Sequence, residues 1–410
     1  MPIQRPDYSD EIRVALLTAG KDQHYALGLL GALQVKPVHV EFIGNDEMAG
    51  SEAVRTRRVD FYNLVGNQDL DTSLREKVLR VLKYYARLIT YAARTDAKLF
   101  HILWFRKFPY VERTLLNTYF KILGKKLVFT AHNVDDQARN GKSSLTNKLS
   151  LRFLYNIVDH ILVHTPKMKL QLIEEFGIAE EKITVLPHGI NDVIPESKAS
   201  RLEAKWQLGF GLNEKILLFF GNIAPYKGLE DLIRALADLI DEDDRFRLVI
   251  AGPVKDKDCE GYWWKLERMI DELRLSDYVR KEVRFIPDED VGVLFKASDV
   301  SVLPYKRIDQ SGVLLLSYRQ GLPVIAADVG SLREDIVEGQ TGLLFRAGDP
   351  VDLTAKIRTY FASDLCRDLE ARSRRIREYG DDRFSWEKNV DRTFAIYESL
   401  LKKDRREDQS

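Results

Sequence analysis

The sequence predicts an α/β protein made of two doubly wound domains, and three observations carry that prediction. Short apolar runs alternate with longer segments of helical periodicity, the pattern of strands and crossover helices on a parallel sheet. The length of 410 residues is enough for two domains, each burying its own core. The stretch Ser298–Gly330, SDVSVLPYKRIDQSGVLLLSYRQGLPVIAADVG, reads as strand, glycine-bearing turn, buried helix and second strand in one unbroken run.

The strands expected in the first domain are Ile12–Leu17, Val38–Ile43, Leu99–Leu103, Leu127–Thr130, Ile161–His164 and Ile183–Leu186. After a polar break near Asn191–Ser200 the alternation resumes with Ile216–Phe220, Arg247–Ala251, Val283–Ile286, Val300–Leu303 and Pro323–Ala327. Residues 1–192 and 193–380 are therefore read as the two domains. Open parallel sheets bind ligands at the carboxyl ends of their strands, so two such domains facing each other would enclose one central cleft. Beyond Gly380-Asp381-Asp382, the segment Phe384–Leu401 spaces Trp386, Val390, Phe394, Tyr397 and Leu400-Leu401 as an amphipathic helix does. The charged tail that follows it, KKDRREDQS, is expected to fray, with 381–403 as the helical segment and 404–410 as tail.

Composition excludes several classes. Formal net charge is zero, with 63 basic and 63 acidic side chains. Residues 1–190 hold 27 basic and 21 acidic residues, a surplus too small to argue for nucleic acid. Cys259 and Cys366 are far apart and lack neighbouring ligands, so neither a disulfide framework nor a zinc site is expected. With no signal pattern in MPIQRPDYSDEIRVALL and no apolar run long enough to span a bilayer, the expected location is cytoplasmic, with peripheral contact at the inner face of a membrane. That contact is motivated by Ser73–Arg94, with Arg75, Lys77, Arg80, Lys83, Arg87 and Arg94 interleaved with Leu79, Leu82, Tyr85, Leu88 and Ile89, and by the basic segment Gln137–Val158. A charged face that merely meets water is the plainer account of both.

Two βα turns have the form of phosphate cradles. A helix opening at Ser311-Gly312 directs unpaired amides and a positive dipole end outward, and glycine lets an anion come close. In the second turn, a strand ending in Gly221 leads through Pro225, Lys227 and Gly228 into a helix with Leu229, Leu232, Ile233, Leu236 and Ile240 on one stripe. Lys227 would neutralise an anion there, although a lone lysine in a turn is solvated by default. The strand in KLVFTAHNVD ends at His132, where a sugar or acceptor hydroxyl would lie; an ordinary structural histidine is the alternative. The acidic clusters Asp241–Asp244 and Asp288–Asp290 are read as solvated loops rather than metal ligands.

Together these residues resemble the retaining, nucleotide-sugar-dependent glycosyltransferases of the GT-B fold, specifically family 4. The resemblance covers nearly the whole chain and rests on FFGNIAPYKGLEDLI, SDVSVLPY with QSGV, GLPVIAADVGSLREDIVEGQTGLLF, VLPHGIND, FTAHNV and FSWEKN. It implies two Rossmann-like domains, with a C-terminal helix that crosses back to the first. It also implies transfer of a sugar from a UDP- or GDP-linked donor to a glycan or lipid-linked acceptor, in polysaccharide or glycoconjugate synthesis, without cofactor or metal. Lys227 matches the lysine that neutralises the donor diphosphate, Gly312-Val313 the backbone at its β-phosphate, and His132 the histidine near the transferred sugar. Gly20 matches a glycine in the first βα loop, while Gly221, Asn222 and Ser311 flank these donor-binding positions. Asp309 and Ser317 stand where the family has two glutamates, the first on sugar hydroxyls and the second on the ribose. Asn222 and Ala224 occupy the places where an arginine usually accompanies the lysine, and Lys306 or Arg307 is expected to substitute. Losing that cation weakens a diphosphate site by about 1.5–3 kcal/mol. The departures also motivate two rival readings: a GT-B-shaped binding or scaffolding protein of a polysaccharide assembly complex, and a sugar-nucleotide epimerase.

Overall fold

A computed structural model of the chain describes residues 11–68, 73–135, 144–190 and 194–407. It divides into two compact units, one running to Gly189 and resuming at Trp386, the other spanning Ile190–Ser385. The first holds strands β1 (Ile12–Leu17), β2 (Val38–Gly44), β3 (Val59–Asn63), β4 (Leu99–Ile102), β5 (Lys126–Ala131), β6 (His160–Val163) and β7 (Ile183–Val185). They form one parallel sheet in the order β3-β2-β1-β4-β5-β6-β7. The second holds β8 (Lys215–Phe220), β9 (Phe246–Ala251), β10 (Val279–Glu282), β11 (Val300–Leu303), β12 (Val324–Ala327) and β13 (Gly342–Phe345). Its order is β10-β9-β8-β11-β12-β13, again parallel throughout. Helices cover both faces of each sheet, so the central strands are buried on both sides, as in β4, β11 and β12, where His101 and Ser301 are the polar exceptions in otherwise apolar strands. In each sheet the strand order reverses once, between β1 and β4 and between β8 and β11, and loops at such a switch point open outward as a crevice.

The sequence reading misplaces one strand and misses two, all at sheet edges. β10 lies four residues before the expected Val283–Ile286 run, because only Val279 of the strand is buried while Ile286 anchors a loop against Val291 and Leu294. β3 (VDFYN) and β13 (GLLF) were not expected at all; β3 buries only Val59, and β13 is four residues long.

At the C-terminus, Gly380-Asp381-Asp382 is no break. The helix Leu369–Arg383 runs through it and closes with the Phe384 amide on the Gly380 carbonyl at 2.9 Å. Gly380 is a packing residue, since a Cβ there would sit 2.9 Å from Ile190 Cδ1 and 3.1 Å from Tyr318 Cβ. The last helix therefore starts at Trp386 rather than Phe384, and it continues to Glu407 through most of the charged tail expected to fray. Val390 and Tyr397 pack into the core around β1, β2 and the Gln23–Leu33 helix. Tyr397 reaches His101 on β4, its hydroxyl 2.6 Å from Nδ1. The acidic Asp288-Glu289-Asp290 is also not a loop. It forms the first turn of the Asp288–Ala297 helix, where carboxylates favour the positive dipole end.

Candidate functional site

In the second unit the candidate donor residues converge at the carboxyl ends of β8 and β11. The chain leaves β8 at Gly221, makes a short 3-10 turn at Pro225–Lys227 and enters the Leu229–Ile240 helix through Gly228. Gly228 has φ +65°, and a Cβ there would collide with the Pro304 carbonyl oxygen, so this turn requires glycine. That approach seats the β8 turn against the Pro304–Tyr305 end of β11, and the Lys306 amide bonds the Tyr226 carbonyl at 2.9 Å. Lys227 is buried, with Nζ 3.8 Å above the ring centroid of Tyr305. The Tyr305 hydroxyl lies 3.5 Å from Ser311 Oγ, and burial raises its pKa, so it stays a neutral phenol.

Ser311 caps the Gly312–Arg319 helix by accepting from the Leu314 amide at 3.3 Å. The amides of Gly312 and Val313 precede the first intrahelical bond. Gly312 is exposed, with open space where a side chain would be. Val313 Cγ2 lies 3.3 Å from the position a Gly221 Cβ would occupy, and Lys227 Nζ 4.0 Å from it. One lysine, one helix N-terminus and a bare glycine backbone thus share a single corner, an arrangement suited to a phosphate.

Other candidates lie differently. Asp309 is half-buried, and its carbonyl accepts from the Ser331 amide at 3.2 Å. Ser317 is fully buried, and its hydroxyl turns back onto its own helix, donating to the Val313 carbonyl at 2.8 Å. Asn222 is exposed, whereas Ala224 is buried, so only the first could present a long side chain outward. Lys306, one of the two residues expected to substitute, has its ammonium paired with Glu230, which also accepts from the Tyr262 hydroxyl.

In the first unit, Gly20 lies in the β1 loop with φ +69°, between Ala19 at +53° and Asp22 at +37°. Its carbonyl accepts from Gln68 Nε2 at 2.6 Å, and Asp22 caps the Gln23–Leu33 helix through the Tyr25 amide at 3.1 Å. That cap fixes Tyr25, whose ring meets His132 edge-on at 4.6 Å. His132 follows β5 and stacks on Trp104, centroids 4.1 Å apart and planes within 4°. Sequence reasoning missed its other neighbours. His132 Nδ1 lies 3.0 Å from His164 Nε2, and His188 closes the cluster 5.1 Å from His164. His164 follows β6 and His188 follows β7, so strand ends hold all three; VHTP and LPHG mark where each histidine stands but not that they meet. Burial, followed by the neighbouring histidines, holds the His132 pKa well below its usual value, and the same causes bring His164 down to about 3.

Among the described residues, no group of three or more His, Cys, Asp or Glu side chains is placed to hold a metal ion, and no helix is long and apolar enough to cross a membrane. Leu79 and Leu82, expected to interleave as an apolar stripe, are exposed; Tyr84, Leu88, Tyr91 and Ala92 form the buried side of the Leu74–Arg94 helix. Of the basic segment Gln137–Val158, residues 137–143 fall outside the described residues, and Leu145–Ile157 is helical.

Residues 23–193 match the family described as Glycosyltransferase Family 4, and residues 200–383 match Glycosyl transferases group 1. A D-inositol 3-phosphate glycosyltransferase of Geodermatophilus obscurus is 30% identical over 246 residues, 58% of this chain and 52% of that protein. The Corynebacterium diphtheriae protein of the same name is 29% identical over 239 residues, 55% and 54% of the respective chains. The chain spans about half the length of the curated relatives it matches. Sucrose-phosphate synthase from Thermosynechococcus elongatus superposes with a TM-score of 0.76 at 20% identity, covering 95% of this chain and 99% of that one. Anabaena HepE in complex with UDP-glucose gives 0.72 at 17% identity, covering 94% and 100%. The architecture is thus the α/β GT-B fold of two Rossmann-like domains. The chain belongs to the group 1, family 4 glycosyltransferases.

Proposed function

We propose that this chain transfers a sugar from a nucleotide diphosphate sugar, UDP- or GDP-linked, to a hydroxyl of a glycan or lipid-linked acceptor, with retention at the anomeric carbon. The observation that carries this reading is the corner formed by Lys227 Nζ, Gly221 and the Ser311-capped helix around Tyr305. A leaving diphosphate develops charge there, and preorganised donors stabilise it without reorganising. The protein needs no nucleophile of its own in this mechanism. The departing phosphate oxygen takes the acceptor proton on the same face of the sugar, and His132 and Asp309 orient the sugar. Lys227 and the Gly312 and Val313 amides do the work a metal ion would otherwise do. Gly20 and Asn222 are proposed as flanking contacts to the donor, and Ser317 as the ribose neighbour. The UDP-glucose complex of HepE, a protein of the same fold, supports UDP as the first nucleotide to try.

Thermal unfolding with UDP, GDP, ADP and their sugar conjugates tests the reading. A ligand at about 100 times its dissociation constant stabilises by roughly 2.7 kcal/mol. One nucleotide should raise the midpoint, and the rise should vanish in Lys227→Ala. No shift with any nucleotide would favour the rival reading, a non-catalytic scaffold. That rival draws on the buried Ala224, the inward-turned Ser317 hydroxyl and the pairing of Lys306 with Glu230. An epimerase would turn over the same donor without an acceptor.

The acceptor side is proposed to lie against an anionic membrane. Exposed Leu79, Leu82, Leu115, Leu145, Leu149 and Phe153 stand beside exposed Lys83, Arg87, Lys148 and Arg152.

A further inference from the structure

The geometry of the histidine cluster decides where its protons sit. His164 Nδ1 lies 3.0 Å from the Leu186 carbonyl oxygen. A carbonyl only accepts, so Nδ1 carries the proton, and neutral His164 has a bare Nε2. That Nε2 is 3.0 Å from His132 Nδ1, a contact that is a hydrogen bond only if His132 Nδ1 donates. Neutral His132 is then left with a bare Nε2. This atom is shut off from solvent and has no hydrogen-bond partner among the described residues. The stacked Trp104 and the edge-on Tyr25 hold the ring in place. Desolvation by burial keeps both rings neutral.

We propose that His164 is a positioning residue that fixes His132 in the Nδ1–H form, so that His132 accepts a hydrogen bond from a hydroxyl of the transferred sugar and selects donors carrying that hydroxyl. This rests on the reading of the chain as a nucleotide-sugar transferase, because it takes His132 to face the sugar. Nε2 is covered in the structure, so a hydroxyl reaches it only when the covering atoms move aside. A sugar with hydrogen or fluorine at that position donates nothing and leaves a buried lone pair unpaired, which is why discrimination by such a site is large.

Two measurements test this. Long-range 1H–15N spectra of protein labelled on its seven histidines, assigned with His132→Gln and His164→Gln, read the tautomers at neutral pH without any activity. Both His132 and His164 should carry their proton on Nδ1. A proton on His132 Nε2 overturns the relay whether or not the protein transfers sugar. The kinetic arm uses monodeoxy and monofluoro forms of the accepted donor. At one position kcat/KM should fall about ten- to a hundredfold in the wild type. That ratio should approach one in His164→Phe and be kept in His164→Gln, whose amide oxygen can still accept from His132. Undiminished discrimination in a folded His164→Phe, or no sensitive position in the wild type, overturns the selectivity. If no nucleotide sugar is turned over, the functional reading and the selectivity fall together, while the spectra still decide the relay independently.

Discussion

At the residue scale, the corner around Tyr305 makes the sharpest demands. Lys227 is buried over an aromatic ring, so its charge is held in place rather than swung in from solvent. Lys227→Ala should cut turnover by about a hundredfold or more, the loss expected on removing one donor from an oxyanion site, with the unfolding midpoint in the absence of ligand little changed. Wild-type rates would remove the lysine from the site. Gly228→Ala should act differently, because it meets both a left-handed φ and the Pro304 carbonyl. A loss of about 1–3 kcal/mol in urea unfolding is expected, together with weaker nucleotide binding, since the same turn carries Lys227. The buried histidines give a pH signature. Burial lowers the folded pKa of His101 and of His164 from 6.5 to about 3. The unfolded chain therefore binds more protons between those values, so this stability is complete above pH 6.5 and is lost as pH falls toward 3. Each histidine should cost on the order of 1 kcal/mol per pH unit below 6.5, read as a falling urea midpoint from pH 7 to pH 5. A flat profile over that range would show both to be protonated in the fold.

At the element scale, what the sequence made legible depends on burial. Central parallel strands are covered on both faces and read as mostly apolar runs, which is why Val300–Leu303, interrupted only by Ser301, and Ile12–Leu17, interrupted only by Arg13, could be placed to the residue. Edge strands such as β3 and β10 are covered less, and their pattern does not stand out from a loop that drops one apolar residue inward. In the candidate site, Lys227, Ser311 and Gly312 were legible because glycine and capping residues mark βα turns in sequence. His164 and His188 were not, because a ring-to-ring contact joins residues on separate strands and leaves no local spacing. The last helix also hides its main tie in long-range pairing: Tyr397 and His101 are 296 residues apart. Tyr397→Phe should cost about 1–3 kcal/mol by leaving a buried imidazole nitrogen without its partner. Removal of residues 386–410 should yield insoluble protein, since Val390 and Tyr397 complete the core of the first unit. A soluble truncation that unfolds cooperatively would show that this core closes without the helix.

At the scale of the whole molecule, net charge is zero, yet residues 1–190 hold 27 basic against 21 acidic side chains. The surplus falls on the unit that also exposes large apolar side chains on two neighbouring elements. The Leu74–Arg94 helix exposes Leu79 and Leu82, and the Leu145–Ile157 helix exposes Leu145, Leu149 and Phe153. Residues between them join the two: Glu112 accepts from the Tyr85 hydroxyl at 2.6 Å, and Arg113 donates to Asn147 at 2.8 Å. Leu115 and Ile122, on the joining stretch, are themselves 69% and 78% exposed. Bases near an anionic leaflet contribute about 1 kcal/mol each, and the contribution fades within a Debye length. Binding should therefore require anionic lipid and weaken as salt rises, with the apolar side chains supplying the part that salt does not remove. In flotation assays the chain should rise with vesicles containing phosphatidylglycerol and stay in solution with pure phosphatidylcholine. Leu79→Asp with Leu82→Asp should lower the bound fraction at high salt, whereas Lys83→Glu with Arg87→Glu should lower it at low salt. Protein that remains entirely in solution with anionic vesicles at low salt would leave this surface facing water and point to a soluble glycan as acceptor.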